Sequence, residues 1–254
     1  MFLSEPDPIA FSIFGFSIRW YGICIATGML LGLLTAYVRA PRHEIRQERV
    51  VDLTLIALPL GVLGARLYYV IFNWDYYQGD FLAMINIRSG GLAIHGGLLL
   101  GILSAVIASL AFGIRPLNLM DLVAPGIALA QSIGRWGNYF NQEAHGGPTD
   151  LPWAILADGQ MVHPTFLYES LWCFLLFLIL LRIDNYSTFH GQTFLLYGML
   201  YSVERFFVES LRTDSLMLGP FRMAQVMSLT VFILFFIAYL LLRYRKKKRS
   251  RMFY

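Results

Sequence analysis

Charge is sparse in this chain: 14% of its 254 residues are Asp, Glu, Lys or Arg, against 57% hydrophobic residues. Soluble domains average about 25% charged residues, so the scarcity excludes an ordinary water-soluble globule and points to an all-α polytopic membrane protein. Cysteine is nearly missing as well. Cys24 and Cys173 each lie inside an apolar run with no partner at ligand spacing, which excludes a disulfide framework or a zinc site and leaves them as small buried residues. The first ten residues hold Glu5, Asp7 and two prolines but no Lys or Arg, unlike the basic start of a signal peptide, so no cleaved leader is expected. Internal repeats, low-complexity tracts and long linkers are lacking too, which makes residues 1–254 a single integral membrane domain in this reading.

Basic residues are scarce except where they cluster. The net charge of +4 owes its sign to Arg243, Arg245, Lys246, Lys247, Lys248, Arg249 and Arg251, packed into a tail over 244–254 and the end of the helix before it. A cluster abutting an apolar helix reads as a cytoplasmic topology signal facing anionic lipid, not as a nucleic-acid arm. Seven apolar windows fit helices over 17–38, 50–73, 92–112, 121–138, 164–182, 191–210 and 222–243, each near the ~20 residues that a bilayer requires. Arg39, Arg42, Arg46 and Arg49 follow the first window. The positive-inside rule puts them and the tail in the cytoplasm, so seven spans leave the N-terminus outside. The main outer loop, 139–163, holds no Lys or Arg. It and 74–90 are where small structures outside the membrane are expected.

On this topology one end of the bundle collects polar side chains. Tyr21, Arg66 with Tyr68 and Tyr69, His95, Arg135 with Asn138, Tyr168 with Glu169, and Tyr201, Glu204, Arg205 and Glu209 all fall in the outer half of their windows. Charges within spans are costly and mark pathways or sites. Gln131, Arg135 and Asn138 share one helix face, and Tyr201, Arg205 and Glu209 another. The stretch GRWGNYFNQEAHGG, 134–147, is the densest in hydrogen-bonding groups; a polar loop that merely caps a helix is its plain alternative. Arg205 and Glu209 also admit simple mutual neutralisation. His95 stands between paired glycines in GGLAIHGG, which permit close backbone approach; a lone histidine is otherwise commonly structural. His145 and His163 carry less signal. Gly28, Gly32, Gly61 and Ala65 give the small-residue spacing of closely packed helices.

Permanently charged, planar guanidinium groups suit phosphate in a water-poor site, and their depth suggests an anionic phospholipid head group. No carboxylate pair at metal spacing accompanies them, so neither metal nor cofactor is expected. The paired intramembrane aspartates of an aspartyl protease and a glycine-flanked serine with histidine are also missing. A transporter or flippase for an anionic lipid or metabolite would use the same arginines. So would a structural protein whose polar groups pair only with each other.

The blocks RWYG (19–22), GARLYYV (64–70), HGG (95–97), GRWGNYFNQEAHG (134–146), HPTFLYE (163–169) and YSVERFFVE (201–209) resemble, in order, those of the phosphatidylglycerol–prolipoprotein diacylglyceryl transferases of bacteria; Tyr139 replaces the usual Phe. The resemblance spans nearly all of 15–243. It implies transfer of a diacylglyceryl group from phosphatidylglycerol to the lipobox cysteine of a prolipoprotein signal peptide, giving a thioether and glycerol 1-phosphate, in the inner membrane with the site toward the outer leaflet. It further implies His95, Arg135 and Arg205 as catalytic residues. Tyr21, Arg66, Asn138, Glu143, Gly146, Tyr201 and Glu209 would complete the substrate site. Glu143 has a second reading, in which it orients an arginine and never touches substrate.

Overall fold

The computed structural model describes residues 6–87, 90–157 and 159–251, so the last three residues of the expected tail lie outside the described ones. In chain order it contains a hairpin of β1 (Ile9–Ile13) and β2 (Phe16–Arg19), α1 (Trp20–Arg39), a 3-10 turn (Ala40–His43), α2 (Gln47–Phe72), α3 (Trp74–Tyr77), α4 (Phe81–Ile85), α5 (Ile94–Ala111) and α6 (Pro116–Phe140). There follow the hairpin β3 (Ile155–Ala157) and β4 (Gln160–Val162), α7 (Thr165–Asp184), α8 (Gln192–Glu209), the short hairpin β5 (Met217–Leu218) and β6 (Phe221–Arg222), and α9 (Met223–Arg251).

The protein is an all-α polytopic membrane protein. Among the described residues, six helices are long and apolar enough to cross a bilayer: Trp20–His43, Gln47–Phe72, Ile94–Ala111, Pro116–Phe140, Thr165–Asp184 and Met223–Lys248. α8 coincides with the remaining expected span but is less apolar than these, since it carries Glu204, Arg205 and Glu209. It buries that polarity against protein, with Glu204 and Glu209 both buried. On α5 the opposite holds: Leu98, Leu99, Ile102, Leu103, Ile107 and Leu110 are exposed, as lipid contact demands. α6 starts five residues before its expected window, because Pro116 occupies its first turn, where a missing N–H costs nothing. The β1–β2 hairpin was not foreseen; the first window began at 17, inside β2. Its two-residue turn, Phe14-Gly15, has both φ positive (50° and 82°), the geometry that matches strand twist.

The contacts divide the chain into two compact units, 1–36 with 120–254, and 37–119. Within the first, α1 and α6 cross with almost no side chain between them: a Cβ on Gly126 would lie 2.5 Å from Gly32 O, and one on Gly28 2.9 Å from Ala130 O. Hydrogen bonds tie α6 to α7, with Ser132 and Ser170 each donating to the other's carbonyl at 2.8 Å and Trp136 Nε1 donating to Ser170 Oγ at 3.1 Å. Asp121 fastens the start of α8 by accepting from the N–H groups of Gly191 (2.5 Å) and Phe194 (2.9 Å). The β3–β4 hairpin seats Ile155, Ala157 and Val162 on Tyr139 and Phe166. In the second unit, α2 and α5 pack through Gly64 and Gly96: a Cβ on Gly64 would lie 2.5 Å from Gly96 O.

Candidate active site

Arg135 of α6 and Arg205 of α8 come from different helices and meet at one carboxylate, Glu169 of α7. Glu169 is 1% exposed. Its Oε2 lies 2.5 Å from Arg135 Nη2, and its Oε1 lies 3.5 Å from Arg205 Nη1 and 3.9 Å from Arg212 Nη1. Arg205 also reaches forward one turn to Glu209, 2.7 Å away. Three guanidinium groups thus share a small anionic core, and each is held in a fixed orientation.

The helix faces read from spacing meet in part, through Gln131 and Arg135 on α6 and Tyr201 on α8, with Tyr197 joining them. Tyr197 donates its hydroxyl hydrogen to Gln131 Oε1 at 2.9 Å, and Arg135 Nη2 donates to Tyr201 Oη at 3.3 Å. Both partners advance by four residues, so α6 and α8 run parallel here with their turns in step. The Tyr197 and Tyr201 rings stack with centroids 6.0 Å apart. Tyr21 packs over Gly137, where a Cβ would come within 2.7 Å of its ring.

Beyond α6 the polar stretch folds back on itself. Glu143 Oε1 accepts from Asn138 Nδ2 at 2.9 Å and from Asn141 Nδ2 at 3.5 Å, while Glu143 N donates to Asn138 O at 3.0 Å. Glu143 thus braces the loop through two asparagines, and no arginine is among these partners. Gln142 and Ala144 take left-handed φ of 55° and 59°, unusual for residues with a side chain. Gly146 threads between two elements: its N–H donates to His163 O at 2.9 Å, and a Cβ there would lie 2.6 Å from His163 Cβ and 3.0 Å from Leu211 O. Gly147 N donates to Leu211 O, and His163 N returns a bond to Gly147 O. The segment after α8 is braced by Arg212, which donates from Nε and Nη2 to Asp214 at 2.9 and 2.6 Å. That hydrogen-bonded guanidinium holds the Asp214 carboxyl below the usual carboxylate range.

The other two expected residues belong to the second unit. Arg66, 4% exposed, donates to the carbonyls of Met84 (2.8 Å), Gly90 (2.7 Å), Gly91 (2.9 Å) and Ala83 (2.6 Å), and lies over the Tyr77 ring at 5.0 Å. Four of a guanidinium's five N–H groups are thereby occupied. Arg66 fixes the backbone between α4 and α5, a different part from the substrate contact expected of it. His95 is exposed in the first turn of α5, with its ring centroid 6.2 Å from that of Tyr68.

Two members of the arginine cluster escape a reading by spacing. Glu169 is visible in the sequence only as a polar residue in an apolar helix, and Arg212 lies past the end of α8. The signal for Glu169 was there in principle: a carboxylate inside a span needs a counter-charge, and Arg135 lacks one on its own helix.

Comparison with known proteins identifies the family. The family model described as prolipoprotein diacylglyceryl transferase matches residues 8–241. The chain belongs to that family. The transferase is 53% identical over 223 residues to the phosphatidylglycerol–prolipoprotein diacylglyceryl transferase of Clostridioides difficile, covering 88% of this chain and 90% of the relative. It is 48% identical over 228 residues to that of Finegoldia magna, at 89% and 92% coverage. Against that of Clostridium novyi it is 48% identical over 238 residues, at 90% and 93%. Arg135, Glu169, Arg205 and Glu209 of the transferase all lie within the matched span.

Proposed function

We propose that this transferase moves the diacylglyceryl group of phosphatidylglycerol onto the lipobox cysteine of prolipoprotein signal peptides, in the bacterial cytoplasmic membrane with its site toward the outer leaflet. The observation that carries the reading is the pair Arg135 and Arg205 converging on Glu169. In the reaction the thiol sulfur attacks the glycerol carbon bonded to the phosphate oxygen. A C–S bond forms, the C–O bond breaks, and the electron pair leaves on glycerol 1-phosphate. Charge therefore builds on a phosphate oxygen, which is where two oriented guanidinium groups stabilise most.

The thiol proton must also be lost. A free thiol has a pKa of ~8.5 and apolar surroundings raise it, so a base or a positive field is required. In this reading His95 takes the proton or positions the cysteine, and the arginines favour the thiolate. Glu209 orients Arg205, and Tyr201 orients Arg135. Tyr21, Asn138 and Gly146 shape the floor around the head group, with Glu143 holding Asn138.

Arg135→Ala tests this directly. Purified enzyme with phosphatidylglycerol and a lipobox peptide should lose at least about a hundredfold in turnover, as when a transition-state donor is removed. A rate near that of the unmodified protein would remove Arg135 from the chemistry.

A further inference from the structure

Among the described residues Glu204 is a buried carboxylate with nothing to bind. It is 5% exposed, and neither Oε1 nor Oε2 has a hydrogen-bond partner. Glu169 and Glu209, equally buried, differ in holding arginines. Glu204 lies within electrostatic reach of Glu169, Arg135 and Arg205, so it stands in the same cluster.

Its place on the helix explains the open position. Tyr197, Tyr201 and Glu204 follow one face of α8 at i, i+4 and i+7, as Gln131, Arg135 and Asn138 do on α6. The first two pairs bond to each other across the helices. At the third turn Asn138 donates to Glu143 instead, and Glu204 keeps two unused acceptor oxygens. Leaving such a group unsatisfied away from water is costly, and a ligand bearing donors would recover that cost.

We propose that Glu204 accepts hydrogen bonds from the free hydroxyls of the phospholipid head group and so selects a polyol head group over one lacking donors. The proposal rests on the transferase reading above, because that reading puts a phosphodiester on Arg135 and Arg205. The glycerol beyond that phosphate carries adjacent hydroxyls, a pair of groups to match the two oxygens of the Glu204 carboxyl. A site built to bond a hydroxyl rejects the analogue without it far better than an apolar pocket rejects an extra one.

The experiment compares two donor lipids with the full-length protein and a lipobox peptide: phosphatidylglycerol, and phosphatidyl-1-propanol, which keeps the phosphodiester and chain length without the hydroxyls. The unmodified protein should favour phosphatidylglycerol by roughly tenfold or more in kcat/KM. Glu204→Leu should lose most of that preference, with kcat/KM falling much further on phosphatidylglycerol than on the propanol lipid. Glu204→Gln, which retains one acceptor, should fall between. Equal losses on both lipids, an unchanged ratio, or an unmodified protein that does not discriminate would overturn the proposal. Should Glu204→Leu fail to fold, Glu204→Gln decides: a narrowed ratio supports the proposal and an unchanged one overturns it. If the unmodified protein uses neither lipid, the transferase reading itself fails, and this proposal falls with it.

Discussion

Glu169 sets the behaviour of its neighbours, because Arg135, Arg205 and Arg212 all compensate part of their charge on one carboxylate. Removing one partner of a buried ion pair costs about 3–5 kcal/mol, since the remaining charge stays buried without compensation. Glu169→Gln should therefore lower the thermal midpoint of the purified protein and cut turnover at least about a hundredfold, and a variant that keeps both would show the carboxylate to be dispensable. The sequence makes Arg135, Arg205 and Glu209 legible, since intramembrane charge and i, i+4 spacing need one helix only. Glu169 and Arg212 join them from other elements, and no local pattern predicts such a meeting. Arg66 shows the converse: its depth suggested a ligand, but the carbonyls of Ala83, Met84, Gly90 and Gly91 claim it.

Among the elements, most helix ends were readable to within a few residues from apolar run length; α9 instead continues helical to Arg251, eight residues past its window and through the basic segment. Phe14-Gly15 turns a hairpin inside a continuous apolar stretch, where hydropathy gives no break. The start of α6 at Pro116 lies beyond the apolar window because the first turn can be polar. Small-residue packing was legible, but its tolerances were not. A Cβ on Gly126 would meet backbone at 2.5 Å, whereas one on Gly61 would rest at an ordinary 3.5 Å from Gly97 O. Gly126→Ala should consequently destabilise the protein by about 1–3 kcal/mol, with Gly61→Ala close to neutral, as compared by thermal unfolding in one detergent. Equal midpoints for the two variants would contradict a backbone-limited crossing of α1 and α6.

For the whole molecule, the positive-inside argument predicts that residues 139–163 face outward and the basic segments face the cytoplasm. An impermeant thiol reagent applied to intact cells should label Asp150→Cys and spare Arg46→Cys, two exposed positions in a chain whose own cysteines lie within helices. The reverse pattern would invert the topology. The composition of α8 then bears on biogenesis. A charged residue at the centre of a lone inserting helix costs ~2.5–3.5 kcal/mol, and α8 carries Glu204, Arg205 and Glu209. Its arginine is neutralised by Glu209 within the helix and by Glu169 from α7. α8 is thus expected to insert poorly by itself and to depend on α7 for its counter-charge, which a glycosylation-tag insertion assay of α8 with and without α7 would check. The residues that would handle phosphate would then also make the insertion of one helix conditional on another, so that a chain lacking α7 should leave α8 outside the bilayer.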